Sequence, residues 1–411
     1  MAPSFGQLFT PHPNQWPKKV TITGGILNTH THPRDLFLDG DGRAECFAPF
    51  YDGVYKDVIG IGNTLTPLTT PGRALSQKRK WQSLTTATVH VAGLLTEVTK
   101  PEEVIMGYDQ VFGDQAFLTM KMFLRAVSNS HGADVDDIRA VIPVLKAMSS
   151  RFLSRRANKK KPMVLKIHCE RKWTPLGRRI PVIDRERIAI ERDLELLLQE
   201  VPEAHIEICH VSDGATIDAI RFYQSKGYNV TGEIAPHYGF YCTDDLYEDG
   251  NGGTGLNSHV FCLPAFKSAK DKQIILAAMT SGEPWFYFGN DEACHNDDPT
   301  LEKGVKTNRS GITVGGQTQL PEAVISYVIE EFIKARREEF LSDFLANNAR
   351  RFYGLPILNV TQTFRHTPWI VPSTIKKHFE ERIEDGVTFP AKTIQCQVAM
   401  GGQERLYRLN R

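Results

Sequence analysis

The sequence predicts an α/β protein that folds as a closed (β/α)8 TIM barrel, because short apolar runs alternate along it with segments of helical periodicity. Eight such runs occur in the 411 residues, each about as long as a strand that is buried on both faces. Most of these runs end in polar residues, which suits a barrel with functional side chains at the carboxyl ends of its strands. An open, doubly wound sheet is the alternative arrangement, and the polar ends of eight strands favour the barrel.

The predicted strands and helices fill the middle of the chain. The strands are residues 24–32, 57–63, 87–96, 116–123, 163–170, 205–212, 229–237 and 285–291. Helices are predicted at 136–152, 184–200, 213–226, 269–281 and 320–337, and Asp184 and Asp213 are the expected N-caps of two of them. We therefore predict three parts: an N-terminal extension of residues 1–23, the barrel at 24–354, and a C-terminal extension at 355–411. The last is expected to pack on the barrel as short strands and a helix.

Composition argues against several classes of function. The chain carries 49 Lys and Arg against 48 Asp and Glu, a formal net charge of +1, so no overall field attracts nucleic acid. Its seven cysteines are odd in number and form no CxxC pair, which favours a reducing compartment over a disulfide framework. There is no N-terminal targeting pattern and no stretch of about 18 apolar residues. We expect a cytoplasmic protein with neither a nucleic-acid nor a membrane partner.

Metal-binding side chains stand where four of the predicted strands end. The first strand ends with His30 and His32, whose imidazoles point to the same side because alternate residues of a strand share a face. The fifth strand ends with His168, the sixth with His210 and the eighth with Asp291. Imidazole and carboxylate are ligands of zinc and of similar divalent ions. A lone HxH is as often structural, but the whole set exceeds what one ion needs and predicts two adjacent ions.

Lys121 lies among apolar residues in the fourth predicted strand. A buried lysine is costly unless its ammonium is paired or chemically modified. Residue chemistry alone leaves open whether this side chain reaches solvent at the strand end or belongs to the metal site.

An ordered series of motifs resembles a known family. In chain order the motifs are HTHPRD, IGNTLTP, TMKMF followed by NSHG, KIHCE, CHVSD, IAPHYGF, FCLPAFK, GNDEACH and NNARRFYGLP. Each is weak alone, but together, from about residue 24 to 357, they resemble the class II dihydroorotases of the amidohydrolase superfamily. The resemblance implies a hydrolase that interconverts dihydroorotate and N-carbamoyl-L-aspartate in pyrimidine biosynthesis.

The resemblance also implies how the metal site is organised. In that family a carboxylated lysine on the fourth strand bridges two zinc ions, and Lys121 stands at its place. His30, His32 and Asp291 are then expected on one ion, and the histidines of the fifth and sixth strands on the other. Asp291 is also expected to take a proton from the attacking water and to pass it to the leaving ring nitrogen, although it could be a ligand only. Zinc, cobalt and manganese all accept such ligands, and a homodimer is the family expectation.

Substrate contacts follow from the same resemblance. Arg34, Asn63 and His295 occupy the positions that bind the substrate carboxylate, for which a guanidinium is well suited. Main-chain groups near Leu263 and Gly315 resemble those that meet the pyrimidine ring. Each of these residues could be structural by itself, and together they favour an anionic substrate. His237 also matches a family position, and a purely structural role for it is as well supported.

The segment after Lys121 departs from the family. Bacterial members carry a mobile loop with neighbouring threonines there, whereas MFLRAVSNSHG is shorter and has Ser128 as its only hydroxyl before Asn129. A changed lid affects substrate choice. Two alternatives to a dihydroorotase therefore stay open: a diverged amidohydrolase for another carboxylated cyclic amide, and a non-catalytic scaffold. Plain hydantoins lack the carboxylate, and a scaffold is not expected to keep all six metal-site residues.

Overall fold

The structure is a computed structural model, and every structural statement below concerns the residues that it describes. These are residues 15–34, 48–62, 64, 66–109, 115–124, 134–157, 163–174, 176–246, 262–293, 306–307, 313–314, 319–379, 382–384, 387–389, 392–397 and 400–410. Asn63, His295 and Gly315 of the predicted site lie outside them, as do Ser128 and Asn129.

Eight parallel strands close into a barrel, which confirms the predicted fold class. The first seven are Leu27–His32, Asp57–Ile61, Thr88–Leu95, Thr119–Phe123, Val164–His168, His205–Ile208 and Asn229–Ile234. The eighth is in two pieces: Phe286–Phe288 pairs with the seventh strand, and Glu292–Ala293 pairs with the first. The sheet therefore closes on itself across a break at residues 289–291.

Helices cover the outside of the barrel. They are Pro71–Gln82, Pro101–Tyr108, Ile142–Ala157, a helix in three segments (Arg185–Ala189, Ile190–Leu194 and Glu195–Glu200), Gly214–Ser225, Ala269–Met279, Pro321–Ala335 and Asn348–Tyr353. Three of them begin with proline, whose missing N–H costs nothing at the first helical position. Ser268 and Asp271 form a capping box on the helix Ala269–Met279.

Both predicted N-cap residues stand at the starts of their helices, but only one of them caps its helix with its side chain. The Asp213 carboxylate accepts the Ala215 N–H, as an N-cap does. Asp184 stands at the start of its helix with helical backbone angles, and its side chain makes no capping hydrogen bond. Its carboxylate instead accepts a hydrogen bond from Arg187 at 3.0 Å.

Both faces of the barrel sheet are buried, which explains why its strands are almost continuously apolar. In the second strand Val58 packs outward against the helices, while Ile59 and Ile61 point into the barrel. Tyr287 of the eighth strand and Tyr353 of the last helix belong to the same inner cluster. The barrel is thus a filled core, and a site can form only at one of its ends.

The two chain ends form a second sheet. Lys19–Gly24 pairs antiparallel with the long strand Leu358–Ile370, which pairs in turn with Glu404–Leu409. Two separate two-stranded antiparallel sheets are formed by Thr374–Phe379 with Lys392–Gln397 and by Arg382–Glu384 with Val387–Phe389. The strands expected after residue 355 are present, but the expected helix is absent from the described part of this region, where strand pairing satisfies the backbone instead.

Candidate metal centre

Four histidines and an aspartate converge at the carboxyl ends of the barrel strands. The Nε2 atoms of His30 and His32 are 3.2 Å apart and lie 3.2 and 3.1 Å from Asp291 Oδ1. The ring centroids of His30 and His210 are 5.2 Å apart, and those of His168 and His210 are 4.6 Å apart. These side chains come from strands 1, 5, 6 and 8, so only barrel closure brings them together.

The backbone is strained at two members of this cluster and at Arg34, two residues after His32. Arg34, His210 and Asp291 have positive φ angles of 66°, 39° and 52°, a conformation that non-glycine residues rarely adopt. His210 lies two residues beyond the end of its strand, and Asp291 lies in the break of the eighth strand. The predicted strands 205–212 and 285–291 therefore extend too far at their carboxyl ends, since the observed strands end at Ile208 and Phe288. Backbone strain concentrates at functional sites because the surrounding fold holds it there.

Three of the cluster histidines, His30, His32 and His210, are held in their neutral form. Burial lowers the pKa of His30 to about 3, although Glu233 opposes the shift. Burial also lowers the pKa of His32 and, more strongly, that of His210. A neutral imidazole is the form that binds a metal. Burial raises the pKa of Asp291, but the neighbouring histidines outweigh it and hold that pKa well below its usual range.

Lys121 is fully buried, and its Nζ has no hydrogen-bond partner among the described residues. Its charge reaches His30, His32 and His210, whose pKa values it lowers. The side chain therefore lies beside the histidine cluster rather than in solvent. A buried ammonium without a hydrogen-bond partner is destabilising in such a place. A modified amine that binds a cation held by these residues would not carry that cost. The donor set and this orphaned amine fit a bound divalent metal.

Comparison with known proteins agrees with the motif resemblance. No family model matches the chain. A protein named dihydroorotase from Shewanella amazonensis is 28% identical over 351 residues, 84% of this chain and 92% of that protein. The mitochondrial dihydroorotase of Arabidopsis thaliana is 27% identical over 378 residues, 90% of each. The chain is a homologue of the dihydroorotases. The crystal structure of the Saccharomyces cerevisiae dihydroorotase with 5-fluoroorotic acid shares its fold, with a TM-score of 0.76, 22% identity, and coverage of 95% of this chain and 98% of that one.

In this dihydroorotase homologue the described substrate candidates lie near the cluster. Arg34 is buried two residues after His32, and its carbonyl accepts the Trp81 indole N–H at 2.7 Å. Leu263 is half-buried in the segment after Cys262, whose pKa is raised to about 12 by burial and by the Asp291 carboxylate among others. His237 is buried and its Nδ1 is 2.8 Å from Gln319 Nε2, while its Nε2 has no partner in the described residues.

Sequence reasoning missed a buried ionic network beneath the cluster. Lys166 Nζ donates to Glu207, to Glu233 Oε2 at 2.9 Å, to the Thr29 carbonyl at 2.9 Å and to the Tyr353 hydroxyl at 3.2 Å. All of these groups lie inside the barrel. The sequence does contain a signal for this network, which is a Lys or Glu within an otherwise apolar strand. Lys166 in MVLKIHCE and Glu233 in NVTGEIAPH show it as plainly as Lys121 does in TMKMF.

The pKa values of the two carboxylates of this network are shifted in opposite directions. Burial raises the pKa of Glu207 to about 7, although Lys166 opposes the shift. Burial also acts to raise the pKa of Glu233, but His30 and Lys166 outweigh it and hold that pKa well below its usual range. Both carboxylates pair with Lys166, and Glu233 is also the one that contacts His30.

A second buried carboxylate, that of Glu170, contacts another histidine of the cluster, His168. Glu170 is fully buried two residues after His168, and its Oε2 is 2.8 Å from His168 Nε2. A hydrogen bond there commits Nε2 of that ring and leaves Nδ1 for another ligand.

Proposed function

We propose that this chain is a dihydroorotase, which hydrolyses the ring amide of dihydroorotate to N-carbamoyl-L-aspartate and catalyses the reverse cyclisation in pyrimidine biosynthesis. The observation that carries the proposal is the cluster of His30, His32 and Asp291 beside a buried Lys121 whose Nζ has no hydrogen-bond partner among the described residues. The cluster stands at the carboxyl ends of the barrel strands in a homologue of the dihydroorotases. Among the described residues no helix is long and apolar enough to cross a membrane.

Two zinc ions are the metals we propose for this site. His30, His32 and Asp291 would hold one ion, and His168 and His210 would hold the other. Addition of carbon dioxide to the neutral amine of Lys121, with release of one proton, converts that amine into a carbamate. A carbamate is an anionic oxygen donor that would serve as a further metal ligand, which removes the cost of a buried ammonium at this place.

When bound, such ions lower the pKa of water and polarise a carbonyl oxygen. The chain's own groups do the rest. The Asp291 carboxylate is ionised and faces the cluster, so it takes the proton of the attacking water. It then delivers that proton to the ring nitrogen as the amide C–N bond breaks. In the cyclisation direction the same carboxylate accepts the proton of the attacking nitrogen.

Substrate choice is assigned to groups around the cluster. Arg34, with Asn63 and His295, binds the carboxylate of the substrate, and main-chain groups near Leu263 and Gly315 bind the ring. The preference for a carboxylated ring distinguishes this assignment from one for plain hydantoins. We also propose that the protein is a cytoplasmic homodimer. Its three proposed parts are the N-terminal extension at residues 1–23, the barrel at 24–354 and the C-terminal extension at 355–411.

The decisive experiment measures zinc content and turnover on the same purified protein. We expect about two zinc ions per chain, consumption of dihydroorotate and, in the reverse direction, cyclisation of carbamoyl aspartate. Zinc-loaded protein that converts neither compound but hydrolyses another carboxylated cyclic amide would establish the diverged amidohydrolase instead. Zinc-loaded protein that is inert toward all cyclic amides would establish the scaffold.

A further inference from the structure

Glu233 contacts both halves of the candidate metal centre. It lies inside the seventh strand and is fully buried. Its Oε1 is 2.6 Å from His30 Nδ1 and also accepts the backbone N–H of His210 at 3.1 Å. His30 belongs to one proposed ion and His210 to the other. One carboxylate oxygen therefore ties together the side chain of one ligand and the strained backbone of another.

This contact selects the tautomer of His30. An imidazole that donates Nδ1–H to a carboxylate carries its lone pair on Nε2. Nε2 is the atom that faces the cluster, since it lies 3.2 Å from Asp291 Oδ1 and from His32 Nε2. With the opposite tautomer a hydrogen would occupy the position of the metal. Carboxylates that hold a ligating histidine in this way commonly contribute to metal affinity.

The surrounding barrel is built to keep Glu233 in place. Its second oxygen, Oε2, accepts hydrogen bonds from Lys166 Nζ and Thr29 Oγ1, each at 2.9 Å. Lys166 thereby balances a charge that would otherwise be buried alone. Gly289 lets the eighth strand pass the side chain, because a Cβ there would lie 2.4 Å from Glu233 Cδ.

We propose that Glu233 is a positioning residue of the metal centre: with Lys166 as its counter-ion, it holds His30 in the metal-binding tautomer and fixes the backbone of His210. The inference rests on the proposed function for its metal. Beneath the ligands, the metal centre would then depend on a fully buried carboxylate that touches neither substrate nor reacting atoms.

Glu233→Gln tests this role with almost no change in shape. The amide has only one acceptor, so its N–H groups must face either Lys166 and Thr29 or His30 and the His210 N–H. Either choice places a donor against donors. We expect the zinc affinity of the metal-free full-length protein, measured by competition with a chelator, to fall about 10- to 100-fold. We also expect a changed visible spectrum of the cobalt-loaded protein, because that spectrum depends on ligand geometry.

Glu330→Gln is the matched control, since it makes the same change in a buried carboxylate with similar partners. Glu330 binds Arg405 at 2.9 Å and accepts the Leu406 N–H at 2.8 Å, between the helix Pro321–Ala335 and the strand Glu404–Leu409. This control should lower the free energy of unfolding without changing zinc affinity. Glu233→Asp is a second variant in case the first fails to fold. It keeps the charge beside Lys166 but withdraws the carboxylate by ~1.5 Å.

The outcomes separate the possibilities. Weaker zinc binding and an altered cobalt spectrum in the Glu233 variants, with neither in Glu330→Gln, support the positioning role. Zinc affinity that stays at the wild-type value in folded Glu233 variants overturns it, as does an equal loss in Glu330→Gln. Wild-type protein that binds zinc but does not convert dihydroorotate defeats the proposed function and leaves this inference intact.

Discussion

Two buried lysines on neighbouring strands have opposite surroundings. Lys121 of the fourth strand and Lys166 of the fifth are direct register partners, and both are fully buried. Lys166 contacts two carboxylates, a carbonyl and a hydroxyl, and its pKa is raised above the ordinary value because the two carboxylates outweigh the effect of burial. Lys121 Nζ has no hydrogen-bond partner in the described structure, and it lies 5.1 Å from the centroid of the Phe123 ring. The cost of burying a lysine is therefore offset in two different ways. Lys166 forms a structural ion pair, whereas Lys121, we propose, is converted into a carbamate that binds metal.

Loss of Lys121 should have the largest effect on function. Lys121→Met removes the proposed bridging ligand, so turnover should fall to background and the zinc content should drop below that of the wild type. Zinc analysis beside the dihydroorotate assay measures both. A variant that retained two zinc ions per chain would contradict the carbamate assignment.

Loss of the Asp291 carboxylate should be the next largest effect. Asp291→Ala should lower kcat by about 10²–10⁴-fold or more, because a positioned proton carrier contributes that much and a proposed ligand is lost as well. The circular dichroism spectrum should stay that of a folded barrel. A near-normal rate in this variant would end the proposed proton role.

Lys166→Met should mainly affect stability. It leaves Glu207 and Glu233 without their cation, so the free energy of unfolding of the metal-free protein should fall by about 3–5 kcal/mol. Lys121→Met is the matched control, because it makes the same substitution at the neighbouring register position. There an unpartnered ammonium is removed, and the metal-free protein should be as stable as the wild type or more so. Denaturant unfolding of both variants measures the difference; equal losses would show that Lys121 is also structurally paired.

Arg34→Met should weaken substrate binding more than it slows the chemical step. A charge-assisted hydrogen bond contributes about 1.5–3 kcal/mol, so KM for dihydroorotate should rise about 10- to 100-fold. Steady-state kinetics measures KM and kcat separately. Unchanged KM would place the carboxylate anchor elsewhere.

The smallest expected effect concerns the amino-terminal end of the barrel. Burial acts to raise the pKa of Asp57, but its hydrogen bond with His90 and its ion pair with Arg350 outweigh that and lower the pKa. The stability this gives is present above the unfolded-state pKa of about 3.9 and is lost as pH falls through the lower folded-state value. Asp57→Asn should therefore destabilise the protein by about 1–2 kcal/mol at neutral pH. Below pH ~4 the free energy of unfolding of this variant should depend less steeply on pH than that of the wild type. Acid unfolding with an unchanged pH dependence would show that Asp57 does not contribute to it.

Sequence reasoning located the fold and most of the cluster. Periodicity revealed all eight strands because both faces of the sheet are buried, as at Val58 and Ile59. His30 and His32 were recognisable because they share one strand face. The strand ends were less accurate: His210 and Asp291 sit outside regular strands with positive φ angles, and alternation cannot reveal a residue that has left the pleat. Lys166 and Glu233 were missed because their partners come from strands that are distant along the chain.

By itself, then, the sequence determined the alternation of strands and helices and the kinds of side chain at the strand ends, since both depend on neighbours along the chain. Only the tertiary structure decided which lysine is paired and which is not. The two stand in similar apolar strands, and the difference arises from carboxylates that barrel closure brings to Lys166 and not to Lys121. Charge balance in a buried interior depends on contacts in space, and those exist only once the barrel has closed.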